Sequence, residues 1–313
     1  MTTLRRLLSV LIVFCALHAV HAVAQETTVQ ATVNGSAKPR VYIDTDMAAE
    51  VDDSYAVFRA LVAPELDIVG LSSMGWTGEK SSFADGTRQS QKMNEEILAL
   101  MKLTGTVSHP LGALNPMPDA ATPVDSPAVQ DIIAKAKETP AGQKLHLFVL
   151  GAYTTAASAL LIDPSIKDKL AVYVMGYRYN NGELTTNESN CQGDLNAAAY
   201  LPRSGVELHV MAYSTLLKFR WAKADASAHF KGTGGIRDYL VRRWETYAPD
   251  ESERVLWDIA VFEAFLRPNL ATEKKISHQS FPVRVWTEAD IPGMQADYWD
   301  ATKVQSFSRP RED

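Results

Sequence analysis

Residues 41–56, VYIDTDMAAEVDDSYA, crowd four aspartates and a glutamate into ten positions between an apolar run and a segment with helical apolar spacing (Tyr55, Val57, Phe58, Leu61, Val62). This predicts a buried strand, an acidic loop and a helix. In a parallel α/β sheet such a loop lies at the carboxyl end of a strand, where ligands bind. Carboxylates packed so closely repel one another unless a cation neutralises them. Asp52 and Asp53 alone could be first-turn acids stabilised by the helix dipole. Asp44 and Asp46, at the strand end, have no such explanation, and all-oxygen ligands suit a hard cation.

The rest of the chain bounds the architecture. Leu66–Met74, Leu145–Leu150, Leu170–Met175 and Val206–Ala212 read as strands. Helices are expected over about Ser90–Leu103, from Ser126 with Pro127 in the first turn, and over Thr154–Leu161, Gly193–Leu201, Gly235–Tyr247 and Trp257–Leu266. Strand and helix alternate, so the expected fold is α/β with a mostly parallel central sheet covered by helices on both faces. Pro282–Thr287 is expected to close the sheet as an edge strand. No internal repeat or dividing linker interrupts the chain, which predicts a single domain over residues 39–313.

Before that domain, Arg5 and Arg6, the apolar run Leu7–Ala19 and the small-residue site Ala22-Val23-Ala24 read as a secretory signal over residues 1–24. Residues 25–38 read as a polar, flexible leader. Export to the periplasm or the medium follows as an expectation, with no membrane association after cleavage. Cys191 would then be the sole cysteine, so the fold must rest on its core rather than on an intrachain disulfide. A net charge of −6 without a basic stripe argues against nucleic acid as a partner.

Two further clusters carry chemistry: Asn187-Glu188-Ser189-Asn190-Cys191-Gln192-Gly193-Asp194, and Leu256-Trp257-Asp258-Ile259-Ala260-Val261. Asp194 and Asp258 could each be a helix cap. Glu188 and Asn190 could present an acceptor and an amide to sugar hydroxyls. Cys191 reads as a packed thiol, and Gly232–Gly235 as a loop and helix start.

In content and order these segments resemble the inosine-uridine preferring nucleoside hydrolase family. Its opening Asp-x-Asp-Pro-Gly-x-Asp-Asp is similar to Asp44, Asp46, Asp52 and Asp53, with Met47–Val51 adding two residues. Its Gly-Pro-Leu-Thr-Asn-Leu-Ala resembles Gly151–Ala157, its Met-Gly-Gly resembles Met175-Gly176-Tyr177, its Glu-Phe-Asn-x-x-x-Asp resembles Glu188–Asp194, and its His-Asp-x-x-Ala-Val-Ala resembles Trp257–Glu263.

The resemblance implies a Rossmann-like fold. It also implies a Ca2+ held by Asp46, Asp53, Asp258 and the Thr154 carbonyl, with Asp46 as the catalytic proton acceptor. Asp52, Thr77, Met175, Glu188, Asn190 and Asp258 would bind substrate. Trp257 stands where a histidine often precedes the last acid, and so resembles the purine-specific branch, in which stacking activates the base. The implied activity is Ca2+-dependent hydrolysis of a nucleoside, purine preferred, or of a related N-riboside. The partner is thus a small-molecule nucleoside or N-glycoside, and homo-oligomerisation is left open. The alternative is an exported, metal-dependent nucleoside- or sugar-binding protein without turnover, suggested by the two-residue insertion, Thr77 and Trp257.

Overall fold

The computed structural model describes residues 37–77 and 81–303. The expected signal segment and the leader up to residue 36 lie outside the described residues. Strand β1 (Arg40–Thr45) leads through the acidic loop into helix α1 (Asp52–Val62). There follow β2 (Asp67–Ser73), α2 (Phe83–Leu100), α3 (Pro127–Glu138), β3 (Leu145–Val149), α4 (Thr154–Ile162) and β4 (Leu170–Gly176). The hairpin β5 (Arg178–Asn180) and β6 (Glu183–Thr185), α5 (Ser189–Gly193), α6 (Leu195–Tyr200), β7 (Glu207–Ala212), β8 (Arg220–Ala222) and α7 (Lys223–Phe230) come next. The remaining elements are α8 (Gly235–Tyr247), β9 (Glu253–Val255), α9 (Ile259–Leu266), β10 (Ala271–His278), β11 (Phe281–Ala289) and α10 (Ile291–Thr302).

Seven strands form one sheet in the order β10-β11-β7-β4-β3-β1-β2, parallel except for the β10–β11 pair. Side chains of successive strand residues point to opposite faces, and the two cores follow that alternation. Val41, Ile43, Phe148, Tyr173 and Met175 pack into one core with α1, α8, α9 and α10. Tyr42, Leu147, Val149, Val172 and Val174 pack into the other with α3 and α4. Both faces of the sheet are therefore covered, which is why its strands read as near-continuous apolar runs.

The segment expected as an edge strand is not one. Pro282–Thr287 lies within β11, which pairs parallel with β7 and antiparallel with β10, so the edge is β10. Its sequence, ATEKKISH, is largely polar, with every residue at least partly exposed, as an edge tolerates. Helix α2 begins at Phe83, seven residues before the expected start, capped by the Ser82 side chain on the Asp85 amide. The helix expected over Gly193–Leu201 is broken by Asp194, which caps α6 through the amides of Asn196 and Ala197.

Helices α1, α9 and α10 are tied by a buried ionic chain. Arg59 Nε lies 2.7 Å from Glu263 Oε1, and its Nη2 lies 2.7 Å from Asp297 Oδ2. Arg267 Nε reaches the other Asp297 oxygen at 2.7 Å. Arg59 is 1% and Glu263 0% exposed, so each charge depends on its partner. This brace fixes α1 against α9, the two helices whose first turns carry acids into the site.

Candidate active site

The chain leaves β1 toward β2 on one side and later toward β3 on the other, so the sheet's switch point lies beside β1 at the carboxyl ends of the strands. A cavity of about 430 Å3 opens there. Its wall draws Asp46 from just beyond β1, Trp76 and Thr77 from beyond β2, Leu150 from just beyond β3, Met175 from β4 and Tyr213 from beyond β7. Asp52 and Asp53 enter from the first turn of α1, Glu188 and Asn190 from the start of α5, and Trp257 and Asp258 from the start of α9. Every site residue expected from the sequence lines this cavity except Thr154.

Asp46, Asp52, Asp53 and Asp258 are at most 7% exposed. Ligand oxygens of Asp52, Asp53 and Asp258 lie within 4.8 Å of one another. Asp258 occupies an N-cap position but caps nothing with its side chain, and the N-cap of α1 is Val51, so neither helix start uses these acids as caps. Among the described residues, Asp53 alone of these four accepts a side-chain hydrogen bond, from the Thr45 hydroxyl. Burial, then the charges of Asp53 and Asp52, push Asp46 well above the usual carboxylate range. Burial and the same kind of crowding do so for Asp52 and Asp258. Burial lifts Asp53 to about 6 against the opposing Thr45 hydrogen bond. These carboxylates can be neutralised either by protons or by a cation, and an all-oxygen set of this charge fits a hard divalent ion.

The sugar-binding candidates are positioned by main chain. Glu188 caps α5, accepting from the Cys191 amide at 3.2 Å, and burial raises its pKa while the backbone N–H groups oppose the rise. Asn190 Nδ2 donates to the Leu150 carbonyl at 2.6 Å and the Met175 carbonyl at 3.2 Å, which fixes its amide and leaves the side-chain oxygen as an acceptor. Gly176, at φ +143, lies under this pair. A Cβ there would stand 1.9 Å from the Tyr153 hydroxyl and 2.8 Å from Glu188 Oε2. Gly151 likewise makes room for Asp46, whose Cγ would lie 2.7 Å from an added Cβ.

Thr154 lies behind the wall, its hydroxyl donating to Asp194 at 2.7 Å. The strand-end residue that reaches the cavity is Leu150. Glu50, Trp76 and Tyr213 are among the wall residues that carried no assignment in the sequence. Glu50 lines the mouth and is held by Arg254 Nη2 at 2.6 Å. Arg243 donates to the Ala48 and Glu50 carbonyls at 3.0 and 2.7 Å, so the enlarged loop is pinned from α8 and β9. Tyr213 stacks on Trp257 with ring centres 4.6 Å apart, and Trp76 faces the same space. Tyr213 follows directly on β7 but carries no motif of its own, while Glu50 is hidden by its place in an acidic run.

Residues 41–306 match the inosine-uridine preferring nucleoside hydrolase family. The chain is 24% identical over 270 residues to uridine nucleosidase 1 of Arabidopsis thaliana, covering 75% of this chain and 76% of that protein. It is 24% identical over 269 residues to a probable uridine nucleosidase 2 of Oryza sativa subsp. japonica, with 75% and 76% covered. Among solved structures, the plant nucleoside hydrolase PpNRh1 superposes with a TM-score of 0.70 at 19% identity, over 86% of this chain and 100% of that one. The purine-preferring ribonucleoside hydrolase from Gardnerella vaginalis gives 0.65 at 19% identity, over 84% and 98%. Family match, sheet order and the acids gathered at the switch point agree: the chain belongs to the inosine-uridine preferring nucleoside hydrolase family, enzymes that act on N-glycosidic bonds.

Proposed function

We propose that this protein hydrolyses a nucleoside or related N-riboside to free base and sugar, that it requires Ca2+, and that it prefers purines. The observation that carries the reading is the convergence of Asp46, Asp52, Asp53, Asp258, Glu188 and Asn190 on one cavity. Asp46, Asp53 and Asp258 would hold the ion, with the Leu150 carbonyl better placed than that of Thr154 because Leu150 reaches the wall. A bound Ca2+ would orient and acidify the attacking water.

Asp46 accepts the water's proton as the general base. Asp52, Glu188 and the Asn190 oxygen grip the ribose hydroxyls. Breaking the N-glycosidic bond builds positive charge on the sugar, and acids in a desolvated cavity stabilise that charge more than the neutral ground state. Trp257, backed by Tyr213, offers an indole face to the base. A purine covers more of that face than a pyrimidine does.

Incubating the purified protein with inosine and uridine, with and without Ca2+, tests the reading through free base and reducing sugar. Absence of both products at every Ca2+ concentration would leave the binding-protein alternative in its place. We also propose export, motivated by Arg5, Arg6 and the apolar run that follows. A mature chain beginning at Gln25 by mass spectrometry is the expected result, and an intact Met1 terminus on the exported protein would refute cleavage.

A further inference from the structure

Two arginines stand at the edge of the acid cluster, and neither pairs with it. Arg254 of β9 and Arg243 of α8 act on Asp52 and Asp53 through space, and among the described residues neither forms an ion pair with Asp46, Asp52, Asp53 or Asp258. Arg254 binds Glu50 at 2.6 Å and Glu251 at 2.7 Å. Arg243 uses one nitrogen, Nη2, to donate to the Ala48 carbonyl at 3.0 Å and the Glu50 carbonyl at 2.7 Å. Tyr247, one turn further along α8 and on the cavity wall, carries both guanidinium groups against its ring, with Arg243 Cζ 4.8 Å and Arg254 Cζ 5.1 Å from the ring centre.

By charge alone these arginines oppose a bound cation. A service to the metal from Arg243 must therefore run through the backbone it holds. That backbone is the loop of residues 47–51, which leaves Asp46 and delivers Asp52 and Asp53 to the first turn of α1. The loop is two residues longer than the motif it resembles and contains neither proline nor glycine to stiffen or turn it. Its amides have ties of their own, Ala49 to the Asp46 carbonyl at 2.6 Å and Ala48 to the Ser90 hydroxyl at 3.3 Å. Arg243 grips the carbonyls on either side of Ala49 and joins them to α8. The acids at the two ends of the loop repel one another, and any freedom left between them must be lost when an ion draws them together. A loop fixed beforehand avoids that loss.

We propose that Arg243 is a positioning residue for the metal site: by holding the Ala48 and Glu50 carbonyls from α8, it fixes the lengthened loop so that Asp46 and Asp53 are presented to an ion together with Asp258. This rests on the Ca2+-dependent N-glycosidase reading and adds a residue outside the ligand set that governs its metal affinity. The two roles open to Arg243 have opposite signs. As a counter-charge it would ease the metal-free cluster and oppose the cation, so its removal would tighten Ca2+ binding. As a positioning residue its removal weakens Ca2+ binding even though a repelling charge has gone.

Calorimetry on the full chain with Ca2+ alone reads that sign. Arg243→Gln should weaken binding about tenfold, the size of one charged hydrogen bond lost from the loop. Arg243→Lys keeps the charge and a nitrogen that donates more than once, but loses the flat stack on Tyr247, so its affinity should fall between the two. Arg254→Gln releases only the Glu50 side chain and should leave the dissociation constant within about threefold, since an ion pair at an open mouth contributes little.

Hydrogen exchange on the wild type serves even where a variant fails to fold. In chelator the Ala48 and Ala49 amides should exchange at least about a hundredfold more slowly than in an unstructured chain. Exchange at the unstructured rate would show that nothing holds the loop before the ion arrives, and would overturn the inference. Binding unchanged or tightened by Arg243→Gln, or weakened equally by Arg254→Gln, also overturns it while wild-type Ca2+ uptake leaves the underlying reading intact. No Ca2+ uptake by the wild type overturns both.

Discussion

Two clusters of carboxylates stand along α1 and α9, and they are built in opposite ways. At the amino ends of α1 and α9, Asp52, Asp53 and Asp258 face one another with no ion pair to any of them among the described residues, Arg254 and Arg243 easing Asp52 and Asp53 only through space. Further along these helices, Glu263 meets Arg59, and Asp297 of α10 meets both Arg59 and Arg267. The paired cluster is compensated within the chain. The unpaired one is left uncompensated and accepts a ligand for that reason. A buried acid is thus a poor indicator of function by itself, and the informative property is whether the fold supplies its counter-charge.

The largest effect expected on the unpaired side is catalytic. Asp46→Asn removes the proton acceptor and one metal ligand, so kcat should fall on the order of a thousandfold or more. The metal-free variant should melt no lower than wild type, because one repelling charge has gone. A marked loss of melting temperature in chelator would show that Asp46 is structurally compensated after all, and the contrast between the clusters would fail.

On the paired side the sign reverses. Arg59→Leu strands Glu263 without its cation and should cost about 3–5 kcal/mol in urea unfolding. Neutralising a cavity acid in chelator should cost nothing or stabilise. Equal losses at both sites would collapse the distinction.

Calcium should close the gap. At a hundred times its dissociation constant a ligand that binds only the folded state adds about 2.7 kcal/mol, read as a rise in melting temperature. The pH dependence of the metal-free protein follows from acids raised on folding. Burial lifts Asp53 to about 6 and Asp44 to about 7. Between roughly pH 4 and pH 7 the folded state then binds more protons than the unfolded one, so stability falls as pH rises through this window. Calcium should flatten that slope. A metal-free protein that grows more stable over the window would contradict the uncompensated description.

The smallest effect concerns the base. Trp257→Ala should erode any preference for inosine over uridine by at most about tenfold in kcat/KM, the upper range for an aromatic contact. A preference untouched by the change would make Trp257 a packing partner of Tyr213 only.

What could be read from the chain divides along physical lines. The strand–acid–helix unit was legible because apolar period and charge density are local properties of consecutive residues. Glu188, Asn190, Trp257 and Asp258 were legible through short ordered motifs, and all four line the cavity. The Thr154 placement depended on carrying a motif across a helix start, where one turn separates a residue on the wall from one behind it. Tyr213 and Arg254 come to the site only through tertiary packing, which no window of sequence contains. The role of Pro282–Thr287 was misjudged because pairing on both sides, by β7 and β10, is a property of the sheet and not of the strand.

The brace between Arg59 and Glu263 spans 204 residues of sequence, and this sets an order of events during synthesis. The acids from Asp44 to Asp53 emerge early, while Asp258 and the arm that presses it toward them are still untranslated. Until α9 docks, the early acids remain hydrated and meet only one another. The most repulsive part of the molecule is therefore assembled near the end of folding, after most of the sheet's strands have been made. A chain released before α9 would hold most of the cavity's acids and none of the geometry that makes them a site.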